Sequence, residues 1–200
     1  MNVADFIGGG APLLGEPPPI ELANTVHAVR GHRRDGLRTI EHLAAWLRDV
    51  RPRLAVPLTD AELCEVTGED LADARELRDA IRALASAAAP ESGDAALDPR
   101  AAETLNRHAR RSPRWRELLL DPEPHAVVRG TGRPVAAALA AVAEEAVDLF
   151  AGPARHRLRA CQGPGCVLHF VRESPRREWC SAGCGNRARA ARHYAKVRRP

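Results

Sequence analysis

Four of the five cysteines of this 200-residue chain lie within 24 residues near its C-terminal end. They form two close pairs, Cys161 and Cys166 with the spacing C-x4-C, then Cys180 and Cys184 with the spacing C-x3-C. Two such pairs on either side of a short loop suit a tetrahedral Zn²⁺ site, because each pair binds the ion from one side. The spacing predicts one zinc ion, and four protein ligands make such a site structural rather than catalytic.

Two disulfides are the alternative use of these four cysteines. The first residues contain no cationic region followed by an apolar run of the kind a secretion signal requires. The longest apolar stretch, Val135–Phe150, contains three acidic residues, so no membrane span is predicted. We therefore expect a cytoplasmic protein, where thiols stay reduced, and this favours zinc. Exchange of one thiolate for a nearby histidine, His169 or His193, stays open.

The residues around the cysteines predict a treble-clef arrangement. Gly and Pro between Cys161 and Cys166 favour a tight knuckle. Val167–Val171 is typical of a strand, and we expect the chain to return to it at Glu178–Cys180. Ser181 is a suitable N-cap, which places Cys184 in the first turn of a terminal helix.

The terminal helix is predicted to have one cationic face. At about 100° per residue, four basic residues fall within an arc of roughly 80°, namely Arg189, Arg192, Lys196 and Arg199. We expect Cys184, Ala191 and Tyr194 on the opposite side, packed against the metal centre. Asn186 and Arg187 are predicted to help build the module, through hydrogen bonds to backbone carbonyls. Two further cations, Arg176 and Arg177, lie in the predicted hairpin loop and are candidates for nucleic-acid contact.

Charge is divided unequally along the chain. Residues 1–152 contain 18 basic and 24 acidic residues, whereas residues 153–200 contain 12 basic and 2 acidic ones. A basic segment of this size favours a polyanion as partner, so DNA is expected. A cationic face that is only solvated, or one that docks an acidic protein, is the alternative.

Periodicity predicts a mainly helical N-terminal domain over residues 1–152, followed by the zinc module over 153–200. Helices are expected at Thr39–Val50, Glu69–Ala88 and Pro134–Phe150, and from Asp98-Pro99 to about Arg111. Thr59 and Glu62 form a capping box that begins a short helix ending near Gly68. A small β-hairpin is expected within Trp115–Arg129, and residues 31–36 are expected to form a loop.

The sequence contains no recognisable catalytic combination, such as Ser/His/Asp or Cys/His, so an enzyme is not expected. Asn24 and Thr25 are candidates for lining an effector pocket in the helical domain, and capping of the next helix is the structural alternative. A small-molecule effector and a homodimer are the partners considered for that domain.

Two segments resemble known bacterial families. Trp179–Tyr194, which contains Cys184-Gly185-Asn186-Arg187, resembles the CGNR zinc finger, and the knuckle and the following strand also fit. Glu21–Thr25 (ELANT) and Leu43–Leu47 (LAAWL) resemble the ABATE domain that accompanies it. The chain departs from the pattern at residues 172–174, a loop that leaves the ligands intact. The resemblance implies a stress-induced transcription regulator that binds DNA. The second hypothesis is an adaptor whose zinc module docks an acidic protein.

Overall fold

The computed structural model describes residues 10–93 and 95–197. Within them the helices are α1 (Pro18–Ala23), α2 (Ile40–Val50), α3 (Asp60–Leu63), α4 (Gly68–Ala88), α5 (Pro99–Ala109), α6 (Pro134–Ala151) and α7 (Ala182–Val197). The strands are β1 (Val26–Val29), β2 (His32–Asp35), β3 (Arg114–Leu119), β4 (His125–Gly130), β5 (Leu158–Ala160) and β6 (His169–Val171). They form three separate antiparallel pairs, β1 with β2, β3 with β4 and β5 with β6.

Helices α4 and α6 supply most of the core, as their apolar periodicity predicts. Leu77, Ile81 and Leu84 of α4 are buried against Leu139 and Val142 of α6 in one hydrophobic cluster. Burial of each such side chain contributes about 1.5–3 kcal/mol relative to its exposed state. Leucine, valine and alanine do build this core, and the predicted mainly helical fold is confirmed.

Local signals place most helix starts correctly. Thr59 and Glu62 form the predicted capping box, but α3 ends at Leu63, well before Gly68. Gly68 begins α4 instead, because Thr67 is the N-cap of that helix and forms a second capping box with Asp70. A side-chain acceptor at the N-cap satisfies an otherwise unpaired N–H and outweighs the helix-breaking tendency of a glycine at the first position.

The hairpins agree only partly with the sequence predictions. The β3–β4 pair confirms the hairpin expected within Trp115–Arg129. Residues 32–35, expected in a loop, form strand β2 in register with β1. The predicted strand partner of β6 was wrong, because β6 pairs with β5, before the knuckle, and residues 178–180 form no strand. The β5–β6 hairpin therefore encloses the first cysteine pair.

The C-terminal segment packs on the helical core. Leu158 of β5 and Val171 of β6 belong to the same hydrophobic cluster as α4 and α6. Asn24, directly after α1, donates its side-chain amide to the carbonyl of His169 and accepts the N–H of the same residue, both at 2.9 Å. One fully buried side-chain amide thus satisfies both the N–H and the carbonyl of His169 in β6. The predicted domain boundary at residues 152–153 stays a prediction. Residues on both sides of it contribute to one hydrophobic core.

Candidate metal centre and basic helix

The four predicted cysteines come together at one place. Their sulfurs all lie within 4.8 Å of one another. The Sγ atoms of Cys166 and Cys180 are 3.7 Å apart, and those of Cys180 and Cys184 are 3.3 Å apart. Tetrahedral Zn²⁺ with Zn–S bonds of about 2.3 Å requires sulfurs separated by about 3.8 Å. The donor set therefore fits one zinc ion in both chemistry and spacing.

Local backbone structure brings the first pair inward. Cys161 follows β5 and donates its N–H to the carbonyl of Leu168 at 2.9 Å, while Cys166 donates to Gly163 at 2.8 Å. A Cβ atom at Gly163 would lie 3.0 Å from Cβ and 3.2 Å from Sγ of Cys184. A larger residue at this position would push against Cys184, because the knuckle backbone passes close to the sulfur cluster.

The second pair is positioned by the start of α7. Ser181 Oγ accepts the N–H of Cys184 at 3.3 Å, which is the predicted N-cap contact. Cys184 thus lies in the first helical turn, where the positive end of the helix dipole faces the sulfurs. This arrangement offsets part of the negative charge that four thiolates bring to a metal centre.

The thiols perturb one another strongly. Hydrogen bonds from neighbouring thiols, that of Cys161 first, lower the pKa of Cys184. The thiol of Cys166 first, then that of Cys180, lowers the pKa of Cys161 to about 7. Thiol–thiol hydrogen bonding, with Cys161 first, raises the pKa values of Cys166 and Cys180. Ionising all four sulfurs together would require a cation, and a coordinated thiol loses its proton outright.

Arg187 contacts the sulfur cluster directly. Its guanidinium donates to Sγ of Cys184 at 2.9 Å. The sequence predicted a supporting role for Arg187 through backbone carbonyls, and the structure places the donor on sulfur instead. Asn186 is exposed and accepts a hydrogen bond from Arg189 at 2.5 Å. A cationic donor on sulfur adds to the charge compensation supplied by the helix end.

The basic face of α7 is open to solvent. Arg189, Arg192 and Lys196 are exposed, and within the described residues none of them forms an ion pair. Arg199, the fourth predicted member, lies outside the described residues. The expected packing of Ala191 and Tyr194 on the metal centre was wrong: Ala191 is exposed and Tyr194 is 67% exposed. The buried residues of α7 end at Ala188, so the later turns described in the structure, residues 189–197, are exposed to solvent.

The two hairpin-loop arginines have different surroundings. Arg176 is exposed, as expected for a surface contact. Arg177 points inward: its guanidinium lies 4.9 Å from the ring centre of Phe170 and donates to the carbonyls of Val171 and Cys180, both at 3.2 Å. It also pairs with the buried carboxylate of Glu16. Arg177 therefore holds the module together, a role that the sequence did not predict, while its nucleic-acid contact stays an untested prediction.

Asn24 and Thr25, the candidates for lining an effector pocket, lie directly after helix α1. Both are fully buried, and Thr25 Oγ1 donates to the carbonyl of Leu22 at 2.7 Å. Asn24 uses its side-chain amide to bind the backbone of His169, and the ligand pocket suggested for these two residues stays a prediction. Neither residue caps a following helix: Asn24 is instead the C-cap of α1.

Sequence reasoning missed two residues that join the C-terminal segment to the rest. Glu16, 2% exposed, accepts the N–H of Val171 at 2.8 Å and the guanidinium of Arg177. Arg82 of α4 donates to the carbonyls of Ala23 at 2.7 Å and Val167 at 3.3 Å. Neither residue belongs to a motif, and their partners lie far away in the sequence, so no local signal indicates these roles.

A second cluster of metal-capable side chains, Asp73, Glu76 and His108, lies between α4 and α5. Glu76 is already paired with Arg107 at 2.7 Å, and Asp73 is paired with Arg111. These guanidinium groups take the place that a cation would occupy, so the cluster is an ion-pair network that joins two helices.

No helix among the described residues combines the length and apolar character needed to cross a membrane. Comparison with known families gives two matches. Residues 16–153 match the ABATE family, described as "Putative stress-induced transcription regulator". Residues 157–197 match the CGNR zinc finger. A search of curated proteins finds no match.

The zinc-finger match agrees with the sulfur geometry, and together they assign the chain one structural zinc ion. The two matches follow one another in the order that the sequence resemblance implied. Because the first match alone covers more than half of the residues, the protein belongs to the ABATE family and carries a CGNR zinc finger at its C-terminal end.

Proposed function

We propose that this protein is a bacterial transcription regulator that binds DNA through its zinc module. The observation that carries the proposal is the solvent-exposed row of Arg189, Arg192 and Lys196 on a helix that begins at the sulfur cluster. Lysine and arginine side chains without acidic partners are suited to phosphate oxygens. Arg176, exposed in the preceding loop, is the further cation that we include.

The zinc ion would be held by Cys161, Cys166, Cys180 and Cys184. Its chemistry there is to tie the knuckle to the first turn of α7, with no ligand position left for a substrate. Arg187 positions and neutralises Cys184, and Arg177 joins the loop to Glu16. A rigid start of α7 matters for DNA binding because it determines the direction in which the cationic face projects.

The roles proposed for the two parts of the chain follow from their different net charges. We propose that residues 1–152 regulate, by binding a small molecule or by forming a homodimer, and that residues 153–200 bind DNA. The acidic balance of the first part would discourage non-specific contact between phosphates and its surface. A cytoplasmic location and the absence of enzymatic activity complete the proposal, since a stress-response regulator acts where DNA and reduced thiols are found together.

The test is a charge reversal on α7. Arg189→Glu with Arg192→Glu removes two phosphate contacts, each contributing about eightfold to affinity near 0.1 M salt, and adds repulsion. We expect affinity for a mixed-sequence 30-base-pair duplex to fall more than about 50-fold. Fluorescence anisotropy over a salt series measures it, and the zinc content should stay equal to that of the wild type.

A matched control has the same change of charge elsewhere. Arg100 on α5 and Arg116 on β3 are exposed, and Arg100→Glu with Arg116→Glu should change duplex affinity far less. Equal losses in both variants would show a general charge effect and overturn the assignment to α7. If the wild-type protein binds an acidic protein but no duplex at low salt, the adaptor function replaces the proposed one.

A further inference from the structure

The β1–β2 hairpin is a cationic element within an otherwise acidic part of the chain. Residues 30–38 contain four arginines and one aspartate, while residues 1–152 have six more acidic than basic residues. Three of these side chains, Arg30, Arg33 and Arg34, are exposed on the turn and on strand β2. The hairpin therefore concentrates positive charge at one place on this domain.

Among the described residues, no carboxylate pairs with the exposed arginines of this hairpin. The only carboxylate of the hairpin, Asp35, is paired with Arg78 of α4 at 2.7 Å. In the part of the chain that the structure describes, no ion pair joins Arg30, Arg33 or Arg34 to a carboxylate. Some exposed arginines elsewhere on the chain, namely Arg107, Arg110 and Arg129, do have acidic partners.

The cations of the hairpin also repel other cations close to them. Burial first, and then the charge of Arg33, lowers the pKa of Arg82 to about 10. Arg82 is the side chain that donates to Val167 in the zinc module. An anion bound beside Arg33 would relieve this repulsion, whereas solvent alone only screens it.

The hairpin lies against the zinc module. A Cβ atom at Gly165 in the knuckle would be 3.3 Å from Cα of Gly31, the tip of the hairpin. Two residues away in the same knuckle, the Cβ position of Gly163 is 3.0 Å from Cβ of Cys184 in α7. Two residues of chain span at most about 7 Å, so the hairpin tip lies within roughly 16 Å of the start of α7. That distance corresponds to about five base pairs along a duplex, at 3.4 Å for each nucleotide of a strand.

We propose that the β1–β2 hairpin is a second phosphate-binding element, which contacts the same DNA duplex as α7 through Arg30, Arg33 and Arg34. This inference rests on the proposed function, because it extends the surface that the zinc module presents. The hairpin belongs to the regulatory part of the chain, so a change of state there would reach DNA directly. Contacts from two elements also determine the orientation of the duplex, which one helix alone leaves free to rotate.

The main test measures how duplex affinity depends on salt concentration. It compares the full-length, zinc-loaded wild type with three double variants, changed in the hairpin, in α7 or at the control positions. Each phosphate contact adds about 0.9 to the slope of log affinity against log salt. Arg33→Ala with Arg34→Ala should therefore reduce the slope by about 1.8 and lower affinity by about 60-fold at 0.1 M salt. The matched control, Arg100→Ala with Arg116→Ala, removes the same charge from α5 and β3 and should leave the slope within about 0.5 of the wild type.

The outcomes separate this inference from the function on which it rests. If the wild type and the hairpin variant have equal slopes while Arg189→Glu with Arg192→Glu loses binding, the hairpin proposal is wrong and the proposed function stands. If the wild type shows no salt-dependent duplex binding, both are wrong. Equal thermal stability and zinc content of the hairpin variant and the wild type exclude misfolding as the cause of a reduced slope.

Discussion

Asn24 allows the joint between the helical core and the zinc module to be tested directly. Its side-chain amide forms two hydrogen bonds of 2.9 Å with the backbone of His169, 145 residues away, in a fully buried position. Asn24→Ala leaves a buried N–H and a buried carbonyl without partners. Each unsatisfied group costs about 1–3 kcal/mol, so the expected loss of stability is about 4 kcal/mol.

A chain of this length loses about 2–4 °C in Tm for each kcal/mol, so we expect Tm to fall by about 12 °C. Thermal unfolding followed by circular dichroism measures it. Asn24→Asp separates hydrogen bonding from volume, because it fills the same space but places an oxygen against the carbonyl of His169. At pH 7 it should destabilise at least as much as Asn24→Ala. The control is Asn106→Ala, the same truncation at an exposed position on α5.

A Tm for Asn24→Ala within about 2 °C of the Asn106→Ala value would refute the reasoning. It would mean that water or a backbone shift satisfies His169 at little cost, and that the joint depends on the apolar contacts of Leu158 and Val171 instead.

The remaining predictions concern zinc and pH. Cys166→Ser should lower bound zinc well below one ion per chain, measured by metal analysis, whereas Cys64→Ser, at an exposed cysteine outside the cluster, should keep it; full zinc in Cys166→Ser would contradict the ligand assignment. Burial first, then the charge of Arg82, lowers the pKa of His169 from 6.5 to about 4. Between these two pKa values His169 is protonated in the unfolded chain but not in the folded chain. The free energy of unfolding should therefore fall by about 2 kcal/mol from pH 6.5 to pH 5. Urea unfolding at both pH values should show a smaller fall for His169→Gln, and equal falls would refute this origin.

The helical part of the fold could be predicted well because its signals are local. Apolar side chains repeat every three to four residues in α4 and α6, and that repeat must face a core. The capping box at Thr59 and the N-cap at Asp98 depend on contacts within three residues of each other. The cysteine pairs are also local, which is why their spacing alone indicates a metal site.

Strand pairing could be predicted less well. Strand β2 reads His-Arg-Arg-Asp, with no alternation of apolar and polar residues, so its pairing with β1 leaves no periodic signal. The sequence alone does not show whether residues 158–160 or residues 178–180 pair with β6. The choice depends on how the core packs around the knuckle. Leu158 is fully buried there, which decides in favour of β5.

The sequence by itself determined the identity of the metal site, the helical class and the basic character of the last segment, because each depends on residue type and short spacing. Only the tertiary structure decided how polar side chains are used. Arg177 and Glu16 are 161 residues apart, and their pairing removed one arginine from the surface. The contact of Gly31 with Gly165 placed a basic hairpin beside the zinc knuckle. Contacts between distant residues follow from how the whole chain packs, and no local pattern of amino acids encodes them.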